Sequence, residues 1–228
     1  MEATLKYCSA ALVAACSTSV MASDTAQITV KGKLSPHSCA MNITNNGSVD
    51  VTPALSALVL RQTNPAALED ETLTLMIACS APTRFAITTT DNRAGTHTAL
   101  QPYVDEQYHF GLGTQGGKKV GSYMLSVKTT GSSGDGRPLV HLFRSASSAS
   151  KGGAWTVGIS APQDGAIHAG PGHRQHSWAG PGGSSPSAFA MITLPLVIKT
   201  RLASKKDLAD LSNGLTIDGS ATISLIYL

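Results

Sequence analysis

The amino-acid sequence predicts an all-β protein with the architecture of a β-sandwich. Short runs of alternating apolar residues are separated by Gly, Ser and Thr about every ten residues, which favours a sandwich over helices joined by linkers. The β-branched and aromatic content of these runs is typical of strands. At 228 residues the chain is long enough to fold as one domain with a packed core.

The clearest alternation defines the predicted strands. In chain order they are expected at residues 26–34, 72–79, 83–90, 106–113, 119–128, 188–201 and 219–228. The segment Gln115–Lys118 separates two of these runs and contains two glycines, which predicts a hairpin turn with positive φ values. One short connecting helix is predicted at Ser204–Leu211, because Ser204 and Asp207 have the spacing of a capping pair.

The segment 131–187 differs from the rest of the chain in composition. It is rich in Gly, Ser, Ala and Pro and is predicted to be a long insertion, in which only residues 139–143 and 155–159 resemble strands. Its tail, residues 165–187, is predicted to be a loop. We find no internal repeat of fixed period, which disfavours a solenoid or a propeller.

The C-terminal strand carries an apolar row that needs a partner. Residues two apart share one face of a strand, so Ile223, Leu225 and Tyr227 lie together. Such a row beside a chain end indicates either a buried partner or an aggregation-prone edge. A similar row occurs before the third cysteine, where Ala26–Leu34 alternates in the same way. Its shared face consists of Ile28, Val30, Gly32 and Leu34.

The N-terminal region predicts export. Lys6 precedes the apolar stretch Tyr7–Ala15, and a Val-Met-Ala site follows, which together predict a signal peptide over residues 1–22, cleaved after Ala22. The apolar stretch is too short to span a bilayer. Residues 23–228 are then expected to form a single domain. The alternative is a lipobox at Val13–Cys16, which would leave Cys16 acylated and membrane-anchored.

Cleavage after Ala22 leaves two cysteines in the exported chain, Cys39 and Cys79. In an oxidising compartment they are expected to form one disulfide, with two buried free thiols as the alternative. A bridge that closes a loop of this length stabilises by about 3 to 5 kcal/mol in the chain-entropy model. The spacing supports neither a zinc site nor a redox CxxC motif.

Charge and motif patterns exclude several functions. The chain has 17 basic and 14 acidic residues, a net charge of +3, and no long basic run, so nucleic acid is not an expected partner. Gly111–Gly116 satisfies GxGxxG, but a strand rather than a helix follows it, so no dinucleotide site is predicted. No Gly-x-Ser-x-Gly elbow is present. We therefore expect no enzyme activity and no cofactor.

Histidines and tryptophans in the segment 131–187 are further candidates. The three histidines His168, His173 and His176 lie near one another, without a cysteine or carboxylate to complete a metal site, so an exposed polar loop and no metal are predicted. Both Trp155 and Trp178 could stack on a sugar. The alternating run around Trp155 favours a core position, which makes Trp178 the better ligand candidate.

Several of these segments resemble chaperone-usher pilus subunits. At the C-terminal end the resemblance consists of the penultimate Tyr227, the apolar alternation before it, and Gly214 upstream. At the N-terminal end it consists of the alternating row, interrupted by Gly32, that precedes Cys39. Internal segments resemble the bacterial fimbrial family that includes proteins described as major subunits of beta-fimbriae: Leu73–Cys79, Thr90–Arg93, Phe110–Gly113 and Asp218–Ala221.

The resemblance implies an immunoglobulin-like, pilin-type β-sandwich that is incomplete and is completed by donor-strand addition. Residues 23–35 would then be the donor strand for the next subunit. In that strand Ile28, Val30 and Leu34 would fill a groove, while Gly32 would allow close backbone approach. The resemblance also places the Cys39 and Cys79 bridge between the first two strands of the fold.

The same resemblance implies partners and a location. The C-terminal strand would be presented to a periplasmic chaperone, and an outer-membrane usher and other pilus subunits would be the remaining partners. The protein would be exported through the periplasm to a fimbrium on the bacterial cell surface. The residues of the assembly strand would be Gly214, Ile223, Leu225 and Tyr227.

Two alternatives stay open at this point. The first is a fimbrial adhesin that binds a glycan through the insertion at 131–187, although a donor-like segment at 26–34 argues against a terminal subunit. The second is a monomeric secreted or lipid-anchored β-sandwich that acts as a binding protein.

Overall fold

The structure, a computed structural model, describes residues 38–51, 65–99, 105–145, 153–158, 165–170, 174–212 and 214–228. The helical segments of these residues are two short 3-10 turns, Thr44–Gly47 and Glu106–Tyr108. No helix in the described ranges is long and apolar enough to cross a lipid bilayer. The same ranges contain the strands β1 Cys39–Ile43, β2 Ala66–Ala67, β3 Glu71–Thr83, β4 Phe85–Asp91, β5 Phe110–Gly111, β6 Thr114–Gln115, β7 Lys118–Lys119, β8 Gly121–Val127, β9 Ser133–Gly134, β10 Arg137–Pro138, β11 Val140–Ser145, β12 Thr156–Val157, β13 Arg174–Ala179, β14 Phe189–Leu202 and β15 Ala221–Tyr227.

The strands form two large antiparallel sheets. In the first sheet the order is β1-β3-β14-β8-β5, with β2 and β9 also bonded to β14 and β10 bonded to β9. In the second sheet the order is β12-β11-β13-β4-β15. The short pair β6 and β7 forms a separate hairpin. The prediction of an all-β chain is therefore confirmed.

The hydrophobic core lies between the two sheets. Along β3 the buried residues Leu73, Leu75 and Ile77 alternate with residues that face away, and β14 shows the same period over most of its length. The second sheet contributes Phe85 and Ile87 to the same core. Full burial of an aliphatic side chain of this size contributes about 1.5 to 3 kcal/mol.

The predicted hairpin is confirmed at the turn between β6 and β7. Its two central residues, Gly116 and Gly117, have φ values of 56° and 76°. Positive φ at both central positions is required by the hairpin turn that matches strand twist, and glycine adopts it without steric cost. Beyond the hairpin, β5 pairs with β8, with Phe110 opposite Tyr123.

Three local predictions were wrong. Residues 106–113 do not form one strand, since a 3-10 turn precedes the two-residue β5. Ser204–Leu211 is a turn, held by hydrogen bonds to Ser204, and not a helix. Residues 165–187 are not a loop throughout, because they contain β13 at the centre of the second sheet. The segment 131–187 in fact supplies β9 to β13.

Candidate functional site

Each large sheet ends at a strand with an open edge. Within the described residues, β1 pairs with β3 alone and β15 pairs with β4 alone. The opposite edges of the sheets end in β5 and β12, which are two residues long. Since β1 has five residues and β15 has seven, these two are the longest open edges in the described part of the chain.

The hydrogen-bond pattern shows which groups of β1 face the open side. The Ser80 N–H donates to the Ser38 carbonyl at 2.9 Å, so Ser38 belongs to a pair whose backbone groups point at β3. Successive residues alternate in this respect in an antiparallel ladder. The N–H and C=O groups of Cys39, Met41 and Ile43 therefore point away from β3.

The same reasoning applies to β15. The Asn92 N–H donates to the Ser220 carbonyl at 3.0 Å, and the Leu228 N–H donates to the Arg84 carbonyl at 3.1 Å. Even-numbered residues of β15 therefore bond β4, and odd-numbered residues point outward. The outward positions are Ala221, Ile223, Leu225 and Tyr227, which include three of the residues predicted for the assembly strand.

A cleft of about 590 Å³ separates these two edges. A volume of this size is typical of a binding cleft and would hold roughly twenty water molecules. Its apolar floor comes from the core strands of the first sheet and consists of Leu73, Leu75, Tyr123, Leu125, Leu196 and Ile198. Its walls consist of Met41–Ile43 and Val49–Val51 on one side, and of Leu215, Ile217, Ala221 and Ile223 on the other.

A salt bridge holds one wall of the cleft in place. Arg93 donates from Nε and Nη2 to the two carboxylate oxygens of Asp218, at 2.9 and 2.7 Å. This hydrogen bond lowers the pKa of Asp218 and raises the pKa of Arg93. Both side chains are exposed, so the pair fixes geometry more than it adds net free energy. Next to it, the Asn92 Nδ2 group donates to the Ser220 hydroxyl at 3.0 Å.

The buried carboxylate of Asp91 ties the same loop to β5. It accepts from the N–H groups of Arg93 at 2.8 Å and of Gly111 at 2.9 Å. A side chain has no room at Gly111, where a Cβ would lie 2.5 Å from the Arg93 carbonyl oxygen. Three of the segments that carry the pilus-subunit resemblance thus meet at one end of the cleft: Thr90–Arg93, Phe110–Gly113 and Asp218–Ala221.

The predicted disulfide is confirmed. Cys39 and Cys79 are bonded to each other and lie at directly paired positions of β1 and β3. Gly214 has a φ of 81°, in the left-handed region that favours glycine, and its carbonyl accepts from Gln115 Nε2 at 2.9 Å. The predicted donor-strand residues lie outside the described residues: Ile28, Val30, Gly32 and Leu34.

The C-terminal residues have unequal environments. Ile223 and Leu225 are half-buried and pack against the core. Tyr227 is 51% exposed, and its hydroxyl oxygen accepts a 2.9 Å hydrogen bond from the Cys39 N–H. Sequence reasoning identified Tyr227 but missed this bond, because it joins residues far apart in the chain.

The environments of the two tryptophans differ from those that the sequence predicts. Trp178, the better ligand candidate from the sequence, is 1% exposed and packs in the core near Phe85. Trp155, for which a core position was expected, is half-buried, and the guanidinium of Arg144 lies 4.4 Å from its ring centroid. The correction follows from register, because Trp178 lies on the core-facing side of β13.

The histidines do not form an exposed polar loop. His168 and His176 are each 1% exposed, and His173 lies outside the described residues. In the described part of the chain no group of three or more His, Cys, Asp or Glu side chains is arranged to hold a metal ion. The prediction of an exposed loop at these two positions was wrong because β13 carries His176 into the interior.

Instead, the buried histidines lie in a row of neighbouring rings. His141 Nε2 lies 3.0 Å from His176 Nδ1, and the two rings are stacked with centroids 5.2 Å apart. Burial lowers the pKa of His141 to about 4. Burial also lowers the pKa of His176, and the neighbouring His141, His168 and Arg174 lower it further. The row continues through His168 to Tyr108, with ring centroids 4.1 Å apart.

The described residues define an all-β protein with one disulfide and a cleft between two open strand edges. The family described as "Protein of unknown function (DUF1120)" matches residues 28–124. The chain is also 26% identical to "Protein GltF" of Escherichia coli (strain K12) over 251 residues, which cover 99% of this chain and 97% of that protein. The family match begins at Ile28 and ends within β8.

Proposed function

We propose that this protein is a structural subunit of a chaperone-usher fimbria and polymerises by donor-strand exchange, for adhesion at the bacterial surface. Residues 26–34 of a second copy occupy the cleft between β1 and β15. The fold is then an immunoglobulin-like, pilin-type sandwich that another molecule completes. No covalent bond is made or broken, so the protein acts without catalysis and without a cofactor.

The cleft between two open edges is the observation that carries the proposal. An added strand finds outward backbone groups on both sides, at Met41 and Ile43 of β1 and along β15 from Ala221 to Leu225. Pairing along such edges is the usual physical basis of strand addition. Unpaired edges beside an apolar cleft are also a liability for a subunit that stays alone.

The apolar floor suits the alternating row of the N-terminal segment. Burial of Ile28, Val30 and Leu34 contributes roughly 5 to 9 kcal/mol before the cost of ordering the segment. Gly32 has no side chain, which allows the backbone of the added strand to approach the cleft closely at that position. The family match also begins at Ile28, which supports counting this segment with the domain.

A pair of charge substitutions in the exported chain, residues 23–228, tests the proposal. Val30→Asp places a carboxylate on the face that enters the cleft, where an unpaired charge is strongly unfavourable. Thr29→Asp adds the same charge to the opposite face and is the matched control. Sedimentation velocity and electron microscopy should show polymers for the wild type and for Thr29→Asp, and subunits or short oligomers for Val30→Asp.

Two outcomes contradict the proposal. Equal polymerisation of Val30→Asp and Thr29→Asp removes the donor role of the segment. A wild-type chain that stays monomeric at all concentrations, with its cleft filled by its own residues 26–34, replaces exchange between copies with folding back. Hydrogen exchange at the amides of Met41 and Ile43 distinguishes a filled cleft from an empty one.

The proposal includes a periplasmic chaperone and an outer-membrane usher as partners. A subunit with an open cleft needs temporary cover during export, and a periplasmic chaperone that adds its own strand to β15 supplies that cover. Co-expression with a periplasmic chaperone, followed by purification of a stoichiometric complex, tests this partner. Replacing Tyr227 with Ser should weaken that complex. Mass spectrometry of the mature N-terminus separates export after Ala22 from acylation at Cys16.

One observation favours the adhesin alternative. Trp155 is half-buried beside Arg144, whose Nε donates to Gln175 Oε1 at 3.0 Å, so an aromatic ring and polar groups lie together near β12. Such a combination suits a sugar. Loss of glycan binding in Trp155→Ala, with polymer formation intact, would support a receptor site in the segment 131–187.

A further inference from the structure

We propose that the side chain of Tyr227 takes the place of an added strand at one end of the cleft and so sets where strand addition to β1 stops. The inference rests on the proposed function and concerns the register of the added strand. In this view the added strand pairs with Met41 and Ile43 but not with Cys39. Tyr227 is a positioning residue of the cleft.

The first support is the hydrogen bond between the two edges. The Cys39 N–H points away from β3, and the hydroxyl oxygen of Tyr227 accepts it at 2.9 Å. Within the described residues this is the one hydrogen bond between β1 and β15. The Tyr227 side chain therefore accepts the hydrogen bond from the Cys39 N–H that a carbonyl group of an added strand would otherwise accept. The N–H groups of Met41 and Ile43 remain for the backbone of an incoming strand.

The second support is the extent of the cleft. Its lining includes Met41 on one edge and Ile223 on the other, but not Cys39, Leu225 or Tyr227. The cleft thus ends where the tyrosine crosses from β15 to β1. Adjacent to this point, the disulfide anchors Cys39 to β3, so the edge is held in place there.

The two edge strands run in opposite directions along the cleft, because the start of β1 lies next to the end of β15. An incoming strand is parallel to one edge and antiparallel to the other, and backbone pairing alone leaves its position along the cleft free to shift by two residues. The Tyr227 hydroxyl already accepts from the Cys39 N–H, which removes the register that would use this N–H.

Hydrogen exchange measured by NMR tests the inference in the exported chain carrying Val30→Asp, which is expected to leave the cleft empty and serves as the wild type for position 227. Tyr227→Phe deletes the acceptor and keeps the ring. Tyr108→Phe deletes a hydroxyl that does not line the cleft and is the matched control. In the absence of peptide, the Cys39 amide should exchange about five- to tenfold faster in Tyr227→Phe than in the wild type or the control. Unchanged hydrogen exchange at the amides of β14 would show that each variant keeps the fold.

Adding an excess of a synthetic peptide with the sequence of Ala26–Leu34 then reports the register. In the wild type, the amides of Met41 and Ile43 should become protected and that of Cys39 should not change. In Tyr227→Phe, the peptide should also restore protection to Cys39, because the strand extends by one further pairing position.

The outcomes separate the two proposals. The inference is overturned if the peptide leaves Cys39 exchange unchanged in Tyr227→Phe, if it accelerates Cys39 exchange in the wild type, or if Tyr108→Phe behaves as Tyr227→Phe does. It is also overturned if Tyr227→Phe does not alter Cys39 exchange in the free protein. Absence of peptide protection at Met41 and Ile43 in every protein overturns the proposed function, and this inference with it.

Discussion

Acid should destabilise the protein through His141, and His141→Gln should reduce that effect. The folded-state pKa of this histidine is about 4, against an unfolded value near 6.5, because burial disfavours the charged ring. The folded chain thus binds fewer protons than the unfolded chain between these values. Its stability is complete above pH 6.5 and is lost progressively as the pH falls toward 4.

The size of the effect follows from the difference in pKa. Each pKa unit corresponds to about 1.4 kcal/mol, so full protonation costs about 3 kcal/mol, and the loss between pH 7 and pH 5 is about 2 kcal/mol. Burial is the cause of the lowered pKa of His141, and burial together with His141, His168 and Arg174 lowers the pKa of the adjacent His176. Glutamine at position 141 offers His176 both a hydrogen-bond donor and an acceptor and does not titrate.

Urea unfolding followed by far-ultraviolet circular dichroism at pH 7, 6 and 5 measures this prediction. The free energy of unfolding of His141→Gln should fall by about 2 kcal/mol less than that of the wild type over this range. Leu142→Ala, which removes a fully buried side chain next to His141 on β11, is the control, and its loss of stability should be about the same at each pH. Parallel losses in the wild type and in His141→Gln would refute the argument that burial of this ring makes the fold acid-sensitive.

Three further predictions concern the frame of the cleft. Cys79→Ser, which removes the disulfide, should lower the free energy of unfolding by about 4 kcal/mol in the chain-entropy model, and an unchanged urea midpoint would contradict it. Gly111→Ala should cost about 1 to 3 kcal/mol, because its Cβ would lie 2.5 Å from a backbone carbonyl oxygen. Gly180→Ala, where no atom lies within 4 Å of the added Cβ, should stay within about 0.5 kcal/mol. Met41→Pro deletes an outward N–H and should block polymer formation while the chain stays folded. The control Ala40→Pro deletes a hydrogen bond to β3 and should destabilise the fold itself, which thermal unfolding measures for both variants.

Elements with strong local signals were predictable from the sequence. The alternation of β3, β14 and β15 follows from a period of two, and the Gly116–Gly117 turn follows from the conformational freedom of glycine. The disulfide was predicted by counting the cysteines that would remain after the predicted cleavage at Ala22. Each of these signals lies within a short stretch of chain or depends on composition alone.

Strand β13 could not be predicted in this way. Its sequence contains Arg, Gln, His and Ser, and no apolar alternation marks it as a buried strand. Its polar groups are accommodated by tertiary contacts, as where the Ser177 hydroxyl donates to the Phe85 carbonyl at 2.6 Å. A polar strand in a sheet interior depends on partners distant in sequence, so composition pointed to a loop.

Only part of the candidate site was predictable from the sequence. The apolar row of β15 was visible, yet the outward direction of its odd-numbered backbone groups depends on its register with β4. The missed wall residues Val49, Val51, Leu215 and Ile217 lie outside regular strands, where no periodicity identifies them. The Tyr227 bond to Cys39 depends on packing of the first described strand beside the last.

The composition of the edges bears directly on the proposed function. Exposed edge strands are usually short or carry lysine, proline or a bulge that prevents pairing with other chains. The minor strands follow this rule, since β7 is Lys118–Lys119, β10 is Arg137–Pro138, and β5 and β12 have two residues each. In contrast, β1 and β15 contain no charged residue and no proline, although they are the longest open edges described. Protection is thus missing at the two strands that border the cleft, which is the arrangement expected if these edges are retained for pairing with another chain.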